Sequence, residues 1–349
     1  MPHVDAAPLE RSSSTAWAEQ PVLARLWRSS FVESQHRGAW VLVDTSGAVI
    51  DGQGDWNQPV FPRSATKSLQ ALPLIESGAA DRFGLGEEAL AITLSSHHAE
   101  PMHVAGVSAL LERLGLSVEH LKCGPQTPVN AQARRELLRR GEKPSALHNN
   151  CSGKHAGFLA LASHLGDDLG HYLDPGSKGQ RLVREALLEM SGAREEELHV
   201  AVDGCSAPTF HLPLTRLATA LARVANPDGL PAPRALACRR LTQAAERHPD
   251  LIGSTTQSLC SDILRVTNGR LFPKLGTEAV YVVGIRGADR GFAIKIDDGG
   301  YRAMNAVVID VLQRFGYLSS SEVDALASWS AGPVTNWAGA VVGRFEVVR

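Results

Sequence analysis

Cysteine is scarce: Cys123, Cys151, Cys205, Cys238 and Cys260 are the only five in 349 residues. An odd, sparse set in a chain this long does not make a disulfide framework, which leaves the thiols for a metal or for small buried apolar roles. Neither sign of charge dominates. There are 35 Lys and Arg against 37 Asp and Glu, a net charge of −2, so no basic face for nucleic acid is expected. No stretch of about 18 apolar residues occurs, so no membrane span is expected. The first twenty residues show no apolar run after a basic start. No secretory signal is therefore expected, and the cytoplasm, with reduced thiols, is the default location. No internal repeat, no G-x-G-x-x-G after a strand and no P-loop is found.

What is present suits a globular protein with a full core: 44% hydrophobic and 21% charged residues. Residues 1–20 read as a loose polar arm, with one domain over 21–349. Gly38–Gly52 reads as a hairpin about the turn Asp44-Thr45-Ser46-Gly47. Helices are expected over Ser64–Ser77, with a kink at Pro73 and a stop at Gly78, and over Met102–Leu114, Ala131–Arg140, Gly157–Leu165, Gly179–Met190, Leu214–Val224, Ala235–His248 and Ala303–Phe315. Leu198–Val202, Gly276–Ile285 and Gly291–Ile296 read as strands. Strands at both ends around a helical middle do not alternate as βαβ units. The expected fold class is α+β: an antiparallel sheet built from both ends of the chain, with helices packed on it.

Three short elements carry chemistry. Ser64-Ala65-Thr66-Lys67 is an S-x-x-K opening a helix, and residues three apart share a helix face. A serine hydroxyl needs a base, and a buried lysine can be one. Ser96-His97-His98 and Lys274-Leu275-Gly276 follow in the order S-x-x-K, S-x-N, K-[ST]-G of penicillin-recognising enzymes, without the Asn and without the hydroxyl. Two Ser–Lys pairs around one carbonyl supply a nucleophile, a base, a proton shuttle and positive charge. Cys151-Ser152-Gly153-Lys154-His155 and Asp203-Gly204-Cys205 make a second constellation, readable as zinc ligands or as two buried thiols. A lysine ligand must be neutral.

The segments FPRSATKSLQALPL, LSSHHAEPMH, CGPQTP, HNNCSGKHAGFLA, YLDPGSKGQ, VDGCSAPTF and LFPKLGTE together resemble the asparaginase II family, the serine-dependent L-asparaginases. The resemblance runs from about Gly38 to the C-terminal helices. It implies a fold similar to that of serine β-lactamases and serine glutaminases, a central antiparallel sheet with helices on both faces and a helical lobe, and hydrolysis of L-asparagine to L-aspartate and ammonia. It implies Ser64 as nucleophile with Lys67 as its partner, and Ser96 with Lys274 as the second pair. It implies one zinc ion on Cys151, Lys154 and Cys205, with Asp203 close by, and a homodimer. Arg63, His97, Glu100, Asn150 and Asp203 are candidates for substrate contact, and Arg63 for lowering the Lys67 pKa. His98 stands where relatives often carry a smaller residue. The rival readings are glutamine hydrolysis or another amidase on the same framework, a penicillin-binding or esterase-like acyl transfer, and a zinc-binding structural protein.

Overall fold

The computed structural model describes residues 19–349. Most of the arm expected over 1–20 lies outside the described residues. Gln20, at its end, is buried; its side chain takes the Asp55 N–H and donates to Gln58.

Eight antiparallel strands form the main sheet. They are β1 (Val22–Arg28), β2 (Phe31–Asp44), β3 (Val49–Gln53), β7 (Leu271–Gly276), β8 (Val280–Ile285), β9 (Arg290–Ile296), β10 (Gly332–Thr335) and β11 (Val341–Val347). The order is β10-β11-β1-β2-β9-β8-β7, with β3 also paired to β2. Strands near both ends of the described residues therefore meet in one sheet. A smaller sheet joins β4 (Pro59–Val60), β6 (Pro208–Pro213) and β5 (His199–Val202) in the order β4-β6-β5. The expected 276–285 strand is in fact a hairpin, β7 and β8, and Lys274 lies inside β7 rather than ahead of a strand. β1, β6 and the C-terminal hairpin are not legible locally. Their pattern is broken by charges, prolines and glycines, and long-range pairing supplies what propensity does not.

Helices cover both faces. The helix Leu214–Ala225 lies against β2, β8 and β9. Gly284 and Gly291, cross-strand partners, allow this approach: a Cβ on Gly291 would sit 2.1 Å from the Ala218 carbonyl oxygen. The helix Tyr301–Arg314 covers the other face, where Trp40 packs against Phe292 and Phe315. The helices Glu87–Leu94, Ser152–Leu165, Lys178–Ser191 and Ala232–Arg247 form a lobe around the helix Lys67–Glu76, in which every residue from Lys67 to Ile75 is buried. Pro73 does not break it. The helix runs one turn past it and ends before Gly78, which adopts φ +81°. No described helix is long and apolar enough to cross a membrane.

Candidate active site

The edge strand β7 faces the helical lobe, and a cavity of about 330 Å³ opens along this seam. Ser64 reaches it from a tight 3-10 turn, Arg63–Thr66, that precedes the helix. Arg63 has φ +52°, a left-handed conformation that a non-glycine residue adopts only under constraint. The constraint is visible: the Arg63 guanidinium is ion-paired with Asp203, and Thr66 Oγ1 donates to the Arg63 carbonyl. The turn also lies tight against β7. A Cβ on Gly276 would come within 2.1 Å of the Pro62 carbonyl oxygen.

Ser96 sits on the loop after the helix Glu87–Leu94. The backbone of that loop bonds to 252–253, through Ser96 N to Ile252 O at 2.9 Å and His98 N to Gly253 O at 3.0 Å. Ser96 Oγ accepts from Lys274 Nζ at 2.7 Å and from Lys67 Nζ at 3.1 Å. Lys67 Nζ also donates to the carbonyls of Ser95 and, at 3.3 Å, Asn150. The expected Ser64–Lys67 hydrogen bond is not formed among the described contacts. Ser64 Oγ instead meets Cys151 Sγ at 4.0 Å. As an ammonium, Lys67 has three donors, which two carbonyls and a hydroxyl satisfy; as a neutral amine it keeps two and has a lone pair that can accept from Ser64.

Burial pushes the Lys274 amine down to about 7, helped by the positive charge of Lys67. Burial likewise lowers Lys67, with Lys154 rather than Arg63 as the cation that adds to the effect. A lysine near neutrality can hold or receive a proton at working pH. Once Lys274 is neutral, the 2.7 Å contact can be made with Ser96 donating, so Lys274, Ser96 and Lys67 form a continuous path for a proton.

Behind Lys67 lies a cluster of thiols. Cys151 caps the helix Ser152–Leu165, which begins a turn earlier than Gly157 because Gly153 lets it close on the Ile92 carbonyl. Asp203 and Cys205 come from the turn between β5 and β6. The ligand atoms of Cys151, Asp203 and Cys205 all lie within 4.8 Å of one another. Lys154 Nζ donates to Cys205 Sγ at 3.1 Å. The Cys205 hydrogen bond and the two lysine cations hold Cys151 well below the ordinary thiol range. Burial pushes Lys154 down, but Cys151, Cys205 and Asp203 outweigh it and its pKa stands above the ordinary value.

Of the five expected substrate contacts, Asn150 lines the cavity. His97 does not. It is fully buried, its Nε2 2.8 Å from Ser152 Oγ, and burial holds it well below the ordinary histidine value. Glu100 caps the helix Pro101–Arg113, and its carboxylate takes Ser254, Thr255 and Asn130. Arg63 and Asp203 hold each other beside the cysteines. Other lining residues escape a reading of motifs: Gln257, Cys260, Tyr281 and Trp329 come from separate elements, and Tyr301 and Asn305 from the helix Tyr301–Arg314, none with a local signature. Cys123 and Cys238 are buried thiols, as expected.

None of the proteins of curated function matches the chain. Among solved structures it is similar to a β-lactamase from Mycobacterium bovis, at 15% identity and a TM-score of 0.40, over 80% of this chain and 94% of that one. The model of the L-asparaginase II family matches residues 24–347, and the chain belongs to that family.

Proposed function

We propose that this amidohydrolase-family protein hydrolyses the side-chain amide of L-asparagine to L-aspartate and ammonia through a serine acyl-enzyme. The observation that supports this reading is the Lys274–Ser96–Lys67 series of hydrogen bonds in the wall of a cavity that Ser64 also lines. Ser64 Oγ attacks the amide carbon and its proton passes to the neutral Lys67 amine. The oxyanion is held by backbone donors including the Ser64 N–H. The C–N bond then breaks, and the proton path through Ser96 and Lys274 protonates the leaving ammonia. Water attacks the ester, aspartate leaves and Ser64 is restored. Contacts between nucleophile and base are often long in a free enzyme and tighten with substrate.

A second reading makes Ser96 the nucleophile, because two amines already meet its hydroxyl. The test is mass spectrometry of the acyl-enzyme trapped from a slow amide or ester, beside turnover of Ser64→Ala and Ser96→Ala. Acylation of Ser64, with Ser64→Ala losing at least about 10³-fold in kcat, supports the first reading. An acyl group on Ser96 supports the second. Glutamine, one methylene longer, is discriminated by roughly 1–3 kcal/mol, and kcat/KM on both amides measures the preference.

The donor set of Cys151, Asp203, Cys205 and Lys154 fits zinc. Two buried sulfurs, one held as thiolate, with a carboxylate and an amine suit a borderline-soft cation. Bound there, the ion supplies positive charge and a cross-link between the helix Ser152–Leu165 and the 203–205 turn. Lys154 must shed its proton to join it. Elemental analysis of purified protein tests this, and a homodimer, also part of the proposal, is tested by sedimentation.

A further inference from the structure

Ser96 Oγ joins Lys67 to Lys274 only while its loop keeps one shape. Lys67 Nζ donates to two groups of that loop, the Ser95 carbonyl and, at 3.1 Å, Ser96 Oγ. Lys274 Nζ donates to the same Ser96 Oγ at 2.7 Å. A shift of the loop therefore moves the partners of both amines. Its shape is not a relaxed one. Ala99 has φ +60°, a left-handed backbone that a residue with a Cβ holds only under constraint.

A hydrogen bond to His97 supplies a constraint. His97 Nδ1 accepts the Ala99 N–H at 3.2 Å, so the ring proton sits on Nε2. That N–H points at Ser152 Oγ, 2.8 Å away, and the Ser152 hydroxyl donates in turn to the Leu147 carbonyl at 3.0 Å. Burial holds the ring well below the ordinary histidine value, and it stays neutral. His103 stacks on it, centroids 5.1 Å apart and planes 11° apart. His103 repeats the arrangement: Nδ1 accepts the Glu100 N–H at 3.1 Å and Nε2 donates to the Asp250 carbonyl at 3.0 Å. Two imidazoles thus take the two backbone N–H groups after His98. Through Ser152, His97 also fastens the Ser96 loop to the first turn of the helix Ser152–Leu165.

We propose that His97 is a positioning residue: by fixing the backbone at Ala99 it holds Ser96 Oγ between the two lysine amines. The inference rests on the amidohydrolase reading and gives a part in it to a side chain that touches no substrate. A ring that only filled space would be replaceable without regard to which nitrogen is mimicked.

The test compares His97→Asn with His97→Gln in the full-length protein. The Asn carboxamide can take the N–H two residues on, as it does in turns, but stops short of Ser152. The Gln carboxamide reaches Ser152 and leaves the Ala99 N–H without its acceptor. Small misplacements of reacting groups cost up to about 10²-fold, so His97→Gln should lose at least about tenfold in kcat for ammonia release from L-asparagine. Its KM should stay within about threefold, because the proton path and not binding is disturbed. His97→Asn should lose less than about threefold in kcat. Ala99→Gly added to His97→Gln should restore at least about threefold, since glycine holds φ +60° without a Cβ. Should His97→Gln not fold, Ser152→Ala frees the far side of the ring and is read in its place, a kcat loss of at least about threefold at unchanged KM supporting the inference. Equal kcat for the Asn and Gln variants, no recovery with Ala99→Gly, or an unchanged kcat in Ser152→Ala where it stands in overturns the inference and leaves the amidohydrolase reading standing. No ammonia from the unaltered protein overturns that reading itself.

Discussion

Lys274 and Lys154 are both buried amines close to Lys67, yet they are driven in opposite directions. Lys274 lies beside the Ser96 hydroxyl and the Leu275 carbonyl, groups that offer dipoles but no negative charge. Burial therefore wins, and it sits at about 7. Lys154 is equally dry but faces two sulfurs and a carboxylate, with the Phe158 ring 5.7 Å from its nitrogen. There the anions win and the ammonium persists. Burial alone does not make a lysine a base; burial without an anion does. The molecule thus keeps a proton-transfer region and a charge-pairing region a few ångströms apart, with Lys67 between them.

The contrast is broken most severely at Lys274. Lys274→Met keeps the length of the side chain and removes the amine. A general acid–base group is worth about 10²–10⁴-fold, and a loss of that size in kcat is expected. Stability should change by less than about 1.5 kcal/mol, since a near-neutral amine is exchanged for an apolar group of similar volume. A pH series sharpens the point. The base form of Lys274 is the deprotonated one, so kcat/KM should rise as pH passes upward through about 7, and the variant should lack that limb. A flat profile in the unaltered protein would remove Lys274 from the proton path.

Lys154→Met should do the reverse. It strips the cation from a buried cluster and leaves the Cys151 thiolate and Asp203 with less compensation. Breaking a buried ion pair costs about 3–5 kcal/mol, read from urea denaturation of chelator-treated protein. A loss under about 1 kcal/mol would mean that the thiols are neutral and that the cluster holds no ion pair.

How far this contrast is legible in the sequence differs by residue. Ser64, Lys67, Ser96 and Lys274 are legible because each sits in a short motif, and the order of the motifs points to one site. Their bonding is not. Helical spacing puts Ser64 and Lys67 on one face, but where a four-carbon stem ends depends on the Ser95 and Asn150 carbonyls, brought in from two other loops. His97 and Glu100 are drawn in by adjacency to Ser96. The loop is extended there, so Ser96 and His98 face the cavity while His97 points into the core, the two-residue alternation of extended backbone. The sheet's middle is readable from the β-branched 38–52 segment. Its outer strands are not, because Val22–Arg28 and Val341–Val347 pair with each other across more than 300 residues.

Two glycines give the finest test, one in each region. Gly276 in β7 leaves no room for a methyl group: the Cβ would meet the Pro62 carbonyl oxygen at 2.1 Å. Gly153 has the same problem with the Ile92 carbonyl oxygen at 2.0 Å. Both neighbours are backbone, which cannot swing aside like a side-chain tip, so Gly276→Ala and Gly153→Ala should each cost about 1–3 kcal/mol. The consequences should then part. Gly276→Ala pushes β7 off the Ser64 turn and shifts Lys274 against Ser96, and small misplacements of reacting groups cost up to about 10²-fold. Gly153→Ala displaces the helix that carries Cys151 and Lys154, so it should weaken metal retention more than kcat. Comparable kcat values for the two variants at matched stability would show that the β7 seam does not set the geometry of the serine–lysine network.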